Sequence, residues 1–389
     1  MPNDLEKETE IKNAQDLLEL LDGQREKAPS SEEFLAFQKK FERSRPGGFN
    51  EGVKDCIEMT NTLWGNRDEV FENKFSGCFD GNSLLDVWNE QHPNKKIMKQ
   101  HLLLEAANAK GVQLFSPFSQ TFDTKKGIMT LSYEGSDPSG ALDALVKGPS
   151  IIDSNMFIEI ALWFGVRAVL GNAYFNQKFG NKSFQLSDRD LTDDLLALLD
   201  PFLISETNDD SSSTLLELCY FGNDSNYKFK HLAGSGRGMN CFKIGNTYST
   251  FSPAFEKSTG ITKEEITKRL INDFNRDQDG YDKRCIDDYE CKGDDKYPWN
   301  WLFTYAQVAE QSKSLANQKI DSTSFVPAYS RVFTLNVEKL QCFLPHKKSE
   351  SNIAKIVSLF TFYGVDDINI IADINITEQT ISQQFINKS

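Results

Sequence analysis

The chain has 389 residues, enough to bury a full core, and its 39% hydrophobic and 26% charged residues are the balance of an ordinary globular protein. A formal charge of -14 at pH 7 repels phosphate backbones and anionic lipid, and no dense Lys/Arg block overrides it, which argues against nucleic acid as a partner. No run reaches the roughly 18 apolar residues that would span a bilayer, and MPNDLEKETEIKNAQ lacks the basic and apolar regions of a signal peptide, so the expectation is a chain without a membrane-spanning segment, cytoplasmic in the cell that makes it.

The N-terminal part, 1–45, reads as helices. IKNAQDLLELLDG sets Ile11, Ala14, Leu17, Leu18 and Leu21 on one face and predicts a stop at Gly23. SSEEFLAFQKKFERS places Ser30 and Glu33 at capping-box spacing, with Phe34, Phe37 and Phe41 at helical intervals behind them. RPGG at 45–48 then breaks the chain. The next part, 46–147, predicts further helices over 53–63 and 95–109 and a short strand in GIMTLSYEG.

A different pattern runs from 148 to about 260. KGPSIIDSNMFIEIALWFGVRAVLG turns at Gly148-Pro149 and enters a helix whose only charges between Asn155 and Leu170 are Glu159 and Arg167. A surface helix shows one apolar stripe; this one is apolar on most sides and should run through the interior, with Ser154 at its N-terminal end. The unpaired N–H groups there carry partial positive charge that suits a thiolate or an oxyanion, and Ser, Asp and Asn are equally the ordinary helix caps. After the polar stretch ETNDDSSST, YKFKHLAG and MNCFKIGNTYSTFSP alternate as paired strands should, which puts His231 on a strand. The remainder, 261–389, holds the charged helix TKEEITKRLINDFNR, an acidic loop, the aromatic run YPWNWLFTYAQ and an Ile/Asn-rich C-terminal segment.

Seven scattered cysteines without a CxxC pair do not form a disulfide framework, and with four histidines they give structural zinc little support; no cofactor is implied. NRDQDGYDKRCID sets Asn275, Asp277, Asp279 and Gly280 at positions 1, 3, 5 and 6 of a calcium loop, but Asp282 and Ile286 stand where an apolar residue and a bidentate Glu belong. An acidic solvated turn is the better expectation, with calcium binding a weaker alternative. GSGRGMN is not GxGxxG and is followed by a strand pattern, so it reads as a hairpin rather than a phosphate loop.

The order Gly-Pro-Ser-Ile-Ile-Asp, a nucleophile position opening a helix, a histidine, then an aromatic strand ending in proline resembles the papain-like and transglutaminase-like thiol enzymes, with likeness to papain-like effectors of intracellular bacteria such as Legionella. The resemblance covers 148 to about 253 and implies an α+β fold. Its core would be a buried nucleophile helix packed on an antiparallel sheet, with a helical N-terminal region and C-terminal additions. It places Ser154 where the family has its cysteine and His231 at the general base. The third, orienting position falls on Ser252, with Asn246 and Asn240 as substitutes for the missing carboxylate. It implies thiol acyl transfer on peptide, isopeptide or glutamine amide bonds of a protein substrate, and delivery into a host cell. The serine leaves three explanations open: replacement of a cysteine by an experimenter, a degenerate site kept as a silent module binding a host protein, or serine as nucleophile. The first two are favoured, because serine needs more help to ionise.

Overall fold

The computed structural model describes residues 4–25, 48–63, 78–80, 84–85, 88–89, 91–97, 117–123, 128–148, 150–152, 154–187, 191–204, 215–232, 236–251, 259–278, 282–283 and 305–344. In chain order the elements are α1 (Asp4–Arg25), α2 (Phe49–Leu63), β1 (Cys78–Asp80), β2 (Ser119–Asp123), β3 (Ile128–Tyr133), α3 (Pro138–Lys147), β4 (Ser150–Ile152), α4 (Ser154–Leu170) and α5 (Asn172–Phe179). There follow β5 (Phe184–Ser187), α6 (Asp193–Leu199), β6 (Leu203–Ile204), β7 (Leu215–Gly222), α7 (Tyr227–Lys230), β8 (Gly238–Ile244), β9 (Thr247–Ser249), α8 (Lys263–Asn275), α9 (Tyr305–Leu315), β10 (Ala328–Asn336) and α10 (Val337–Phe343). The chain is therefore mixed α/β with antiparallel sheets, as an α+β fold requires; the short β1–β4 pair alone is parallel.

The central layer is a five-stranded antiparallel sheet in the order β6-β10-β7-β8-β9. Side chains alternate across a strand, and the two faces of this one feed two separate cores. Leu216, Leu218, Phe242, Ile244 and Leu335 join the larger core with α1, α2 and α4, whereas Cys219, Phe221 and Cys241 join the smaller one with Ile266, Leu270 and Phe274 of α8. The smaller sheet, β2-β3-β5, packs beside α4, where Trp163 meets Phe175, Phe179 and Phe184 in edge and tilted contacts.

Helix α4 runs through the larger core as its sequence requires: apart from Arg167, Ala168, Ser154 and Asn155, every residue is buried. It ends at Gly171, whose φ of +74° lets the chain turn through 115° into α5. No single helix among the described residues is long and apolar enough to cross a membrane. Helix α8 opens with a capping box, Thr262 accepting from the Glu265 N–H and Glu265 accepting from the Thr262 N–H, and then buries Ile266, Leu270 and Phe274 at four-residue spacing.

Several expectations need correction. Residues 227–232 do not form the expected strand: the first four form α7 and His231 caps that turn, its N–H donating to Tyr227 O. Asp224 starts the turn, its O accepting from the Tyr227 N–H and its side chain from the Asn226 N–H. Helix α1 continues past Gly23 to Arg25. Helix α2 packs on α4, and β10 lies between β6 and β7. The expected helix over 30–44, most of that over 95–109, the polar stretch at 206–214, the aromatic run up to 304 and the C-terminal segment from 345 lie outside the described residues.

Candidate functional site

Ser154 is the first residue of α4 and half-buried; Asp153, in the cap position before it, lies outside the described residues. Next to Ser154, the exposed Asn155 accepts through Oδ1 from the Asn240 amide of β8 at 3.1 Å, and Thr250 donates to Asn240 O at 2.7 Å. One turn further on, Phe157 stacks on Phe251, ring centroids 4.2 Å apart. The N-terminal end of α4 thus rests on β8 and the chain just after β9.

His231 belongs to a different environment. It is 0% exposed, its Nδ1 lies 3.0 Å from Asp282 Oδ2 and 3.0 Å from Arg276 Nη2, and its Nε2 lies 3.3 Å from Phe274 O. Asp282 is 0% exposed as well and also accepts from Arg276 at 3.3 Å. Both ring nitrogens are therefore engaged by α8 and the segment after it, and neither by Ser154. Asp282, taken from the sequence as a misfit in a calcium loop, is the carboxylate that orients the imidazole. The sequence offered no periodic signal for this pairing across 51 residues, beyond the presence of an acidic cluster after a helix.

Of the substitutes for the third position, Asn240 reaches Asn155 beside Ser154 and Asn246 does not. Asn246 is exposed in the turn between β8 and β9, after Gly245 at φ +63°, with residues 241–244 of β8 between that turn and Asn240. Ser252 lies outside the described residues. The described cysteines do not supply a substitute nucleophile at this end of α4. Cys56, Cys219 and Cys241 are buried, and burial pushes all three thiols up, Cys241 to about 12, away from the range in which thiolates react. Cys342 is exposed, on α10.

The candidate calcium residues are spent on the protein itself. Asn275 brackets Ile320, accepting from its N–H at 2.8 Å and donating to its O at 2.7 Å. The Lys319 ammonium donates to Asp277 Oδ1 at 2.6 Å and to Asn275 O, so a side-chain cation already sits among the oxygens a metal would use. Asp279 lies outside the described residues, and no cluster of three or more His, Cys, Asp or Glu able to hold a metal occurs among the described ones. The same region fixes Lys230, which is buried, donates to Gln318 O at 2.7 Å and lies 4.8 Å from the Phe274 ring centre. The segment after α8 thus works as a clasp between α7 and the chain following α9.

Glu159, read from the sequence only as an interruption, is fully buried on α4. Its carboxylate accepts from the Ser187 N–H at 2.7 Å, from the Thr192 N–H at 2.9 Å and from the Thr192 hydroxyl. Burial nonetheless dominates and pushes its carboxyl up to about 7.

Within the five-stranded sheet, β10 is exposed from Ala328 through Val332, preceded by Val326, which is 79% exposed. Tyr329 and Arg331 both bond the Glu217 carboxylate of β7, Arg331 Nε at 3.1 Å. No family model, no curated protein and no solved structure matches the chain.

Proposed function

We propose that the chain is a catalytically silent interaction module that binds a protein partner through the exposed side chains of β10. The observation that carries this reading is the run of five consecutive exposed residues, Ala328 to Val332. Val326, Tyr329 and Val332 give this surface exposed apolar area of the kind a protein partner covers. Binding of an apolar fluorescent dye tests it: a Val326→Ser/Val332→Ser variant should bind the dye more weakly than the wild type, and equal binding would overturn the reading.

Silence is supported by His231, which has no face turned to Ser154 and no exposure to solvent. A general base must reach the proton it removes, and this imidazole is occupied on both sides. A Ser154→Cys variant should therefore be alkylated by iodoacetamide at pH 7 no faster than the exposed Cys342. A thiol at 154 that reacts about tenfold faster, with a rate that persists below the ordinary thiol range, would restore the thiol-enzyme reading.

That second reading, a papain-like acyl-transfer enzyme, keeps one favourable observation: a buried helix starting at Ser154 is set against an antiparallel sheet through Asn155 and Asn240. For it to operate, a base other than His231 would have to serve residue 154.

A further inference from the structure

The seven cysteines show no pairing pattern in the sequence, but the sheet sets two of them directly opposite each other. Cys219 of β7 and Cys241 of β8 are partners in the antiparallel register, and both side chains leave the same face, buried in the smaller core with Phe221 and Phe274. The Cys219 thiol donates to Cys241 O at 3.4 Å, so one sulfur already lies over its partner's backbone. Of the four cysteines whose side chains are described, Cys56 belongs to the larger core and Cys342 is exposed on α10. Cys219 and Cys241 are the two among them that share a core.

We propose that Cys219 and Cys241 are a redox modification site, oxidised by a low-molecular-weight disulfide such as glutathione disulfide to a bond that staples β7 to β8. Asn223 N donates to Arg237 O at 2.8 Å, which continues the β7–β8 register. Bonded and non-bonded pairs alternate along antiparallel strands, so Cys219–Cys241 is a hydrogen-bonded pair. Cα atoms in such a pair stand about 5.5 Å apart, inside the range of roughly 4.4–6.8 Å that a disulfide bridges. The Cβ atoms, about 4.5–5.5 Å apart, must approach to about 3.5–4.5 Å, so the strands close by up to about 1 Å. The ladder between β8 and β9 ends at Phe242–Ser249, one pair short of Cys241, so β8 is held less tightly at that point.

The bond forms by two exchanges. One thiol loses its proton, and the thiolate attacks a sulfur of glutathione disulfide to form a mixed disulfide, releasing one glutathione thiolate. The second protein thiolate then attacks the protein sulfur of that mixed disulfide and releases the other glutathione. The protein gives up two protons and two electrons, and glutathione disulfide leaves as two glutathione thiols. Burial sets the rate. It pushes Cys241 up to about 12 and Cys219 up as well, the latter reinforced by the Cys241 sulfur beside it, so in the closed sheet neither thiol ionises in the neutral range. Exchange therefore passes through local opening of β7 and β8, and reduction of the bond needs the same opening. The site responds to prolonged rather than brief oxidation, and the bond then ties together the two strands that both cores share.

Incubation of the full chain with excess glutathione disulfide at about pH 8, with and without sub-denaturing urea, tests the proposal when followed by acid quench, alkylation and peptide mapping. A peptide pair joined through Cys219 and Cys241 is expected, lost on reduction and formed at least about tenfold faster in urea, where opening is more frequent. With urea removed, the oxidised chain should melt about 5 °C or more above the reduced one, because the bridge closes a loop in the unfolded chain. Cys241→Ala treated in the same way should show no rise, and the mapping, read on the wild type, does not depend on how that variant folds. Recovery of both thiols in alkylated form after oxidation in urea overturns the proposal, as does a bridge from either residue to a different cysteine. Formation at one rate with and without urea overturns the gating by opening. An oxidised chain that melts no higher than the reduced one, or a rise that persists in Cys241→Ala, overturns the staple.

Discussion

At the scale of single residues, Glu159 makes stability depend on pH. Its folded value near 7 stands above the usual 4.5, so between those limits the native state holds a proton that the unfolded chain releases. The stability it contributes is complete below about 4.5 and is lost as pH rises through about 7, at up to about 1.4 kcal/mol per pH unit and roughly 3 kcal/mol in all. A Glu159→Gln variant cannot release that proton. In urea unfolding at pH 5 and pH 8, the stability difference between wild type and variant should therefore shrink toward pH 8 by about 2–3 kcal/mol. A difference independent of pH would mean that Glu159 titrates normally. The sequence marked Glu159 as a charge within an apolar helix, which is half of this result. The other half, three donors from residues 187 and 192, depends on where β5 returns, and periodicity carries no information about that. His231 was misplaced for a similar reason: Tyr227, Phe229 and His231 alternate as in a strand, while the side chain and carbonyl of Asp224 bend the same residues into a turn.

At the scale of elements, the apolar pattern of α4 was legible because burial on most sides is a property of the helix itself, and the capped, amphipathic α8 was legible for the same reason. What α4 packs against was not. Helices α2 and α4 approach through glycines: a Cβ at Gly52 would lie 2.6 Å from both the Ala168 Cβ and the Phe164 carbonyl oxygen, and one at Gly165 would lie 2.9 Å from the Phe49 ring. In isolation, Gly to Ala inside a helix gains about 1 kcal/mol, so propensity alone predicts that both substitutions stabilise. Overpacking costs about 1–3 kcal/mol, and at Gly52 the obstacle is helix backbone, which cannot rotate aside. Gly52→Ala should therefore lower the midpoint of thermal unfolding despite its better propensity. Gly165→Ala, opposed by a ring that has some freedom to tilt, should do so less. A Gly52→Ala protein melting at or above the wild-type temperature would show that the two helices are further apart.

At the scale of the whole molecule, one sheet serves two cores, and this makes them a single cooperative unit. In β7, Leu216 and Leu218 enter the larger core while Cys219 and Phe221 enter the smaller, and in β8 Phe242 and Cys241 divide in the same way. Neither core can lose its packing without releasing strands that the other needs, because the ladder bonds between β7 and β8 belong to both faces. The clasp of Asn275, Asp277 and Lys319 adds a tie on the smaller-core side, joining the end of α8 to the residues after α9. Removing a large buried side chain on either face should then shift one common transition. Leu218→Ala should cost about 2–5 kcal/mol and Phe221→Ala about 3–5 kcal/mol. The two should move the circular-dichroism and tryptophan-fluorescence melts together, even though Trp88 and Trp163, two of the five tryptophans, lie in the larger core and Phe221 in the smaller. Two separated transitions in Phe221→Ala, with the fluorescence melt left in place, would mean that the smaller core unfolds alone and that the sheet does not couple the halves.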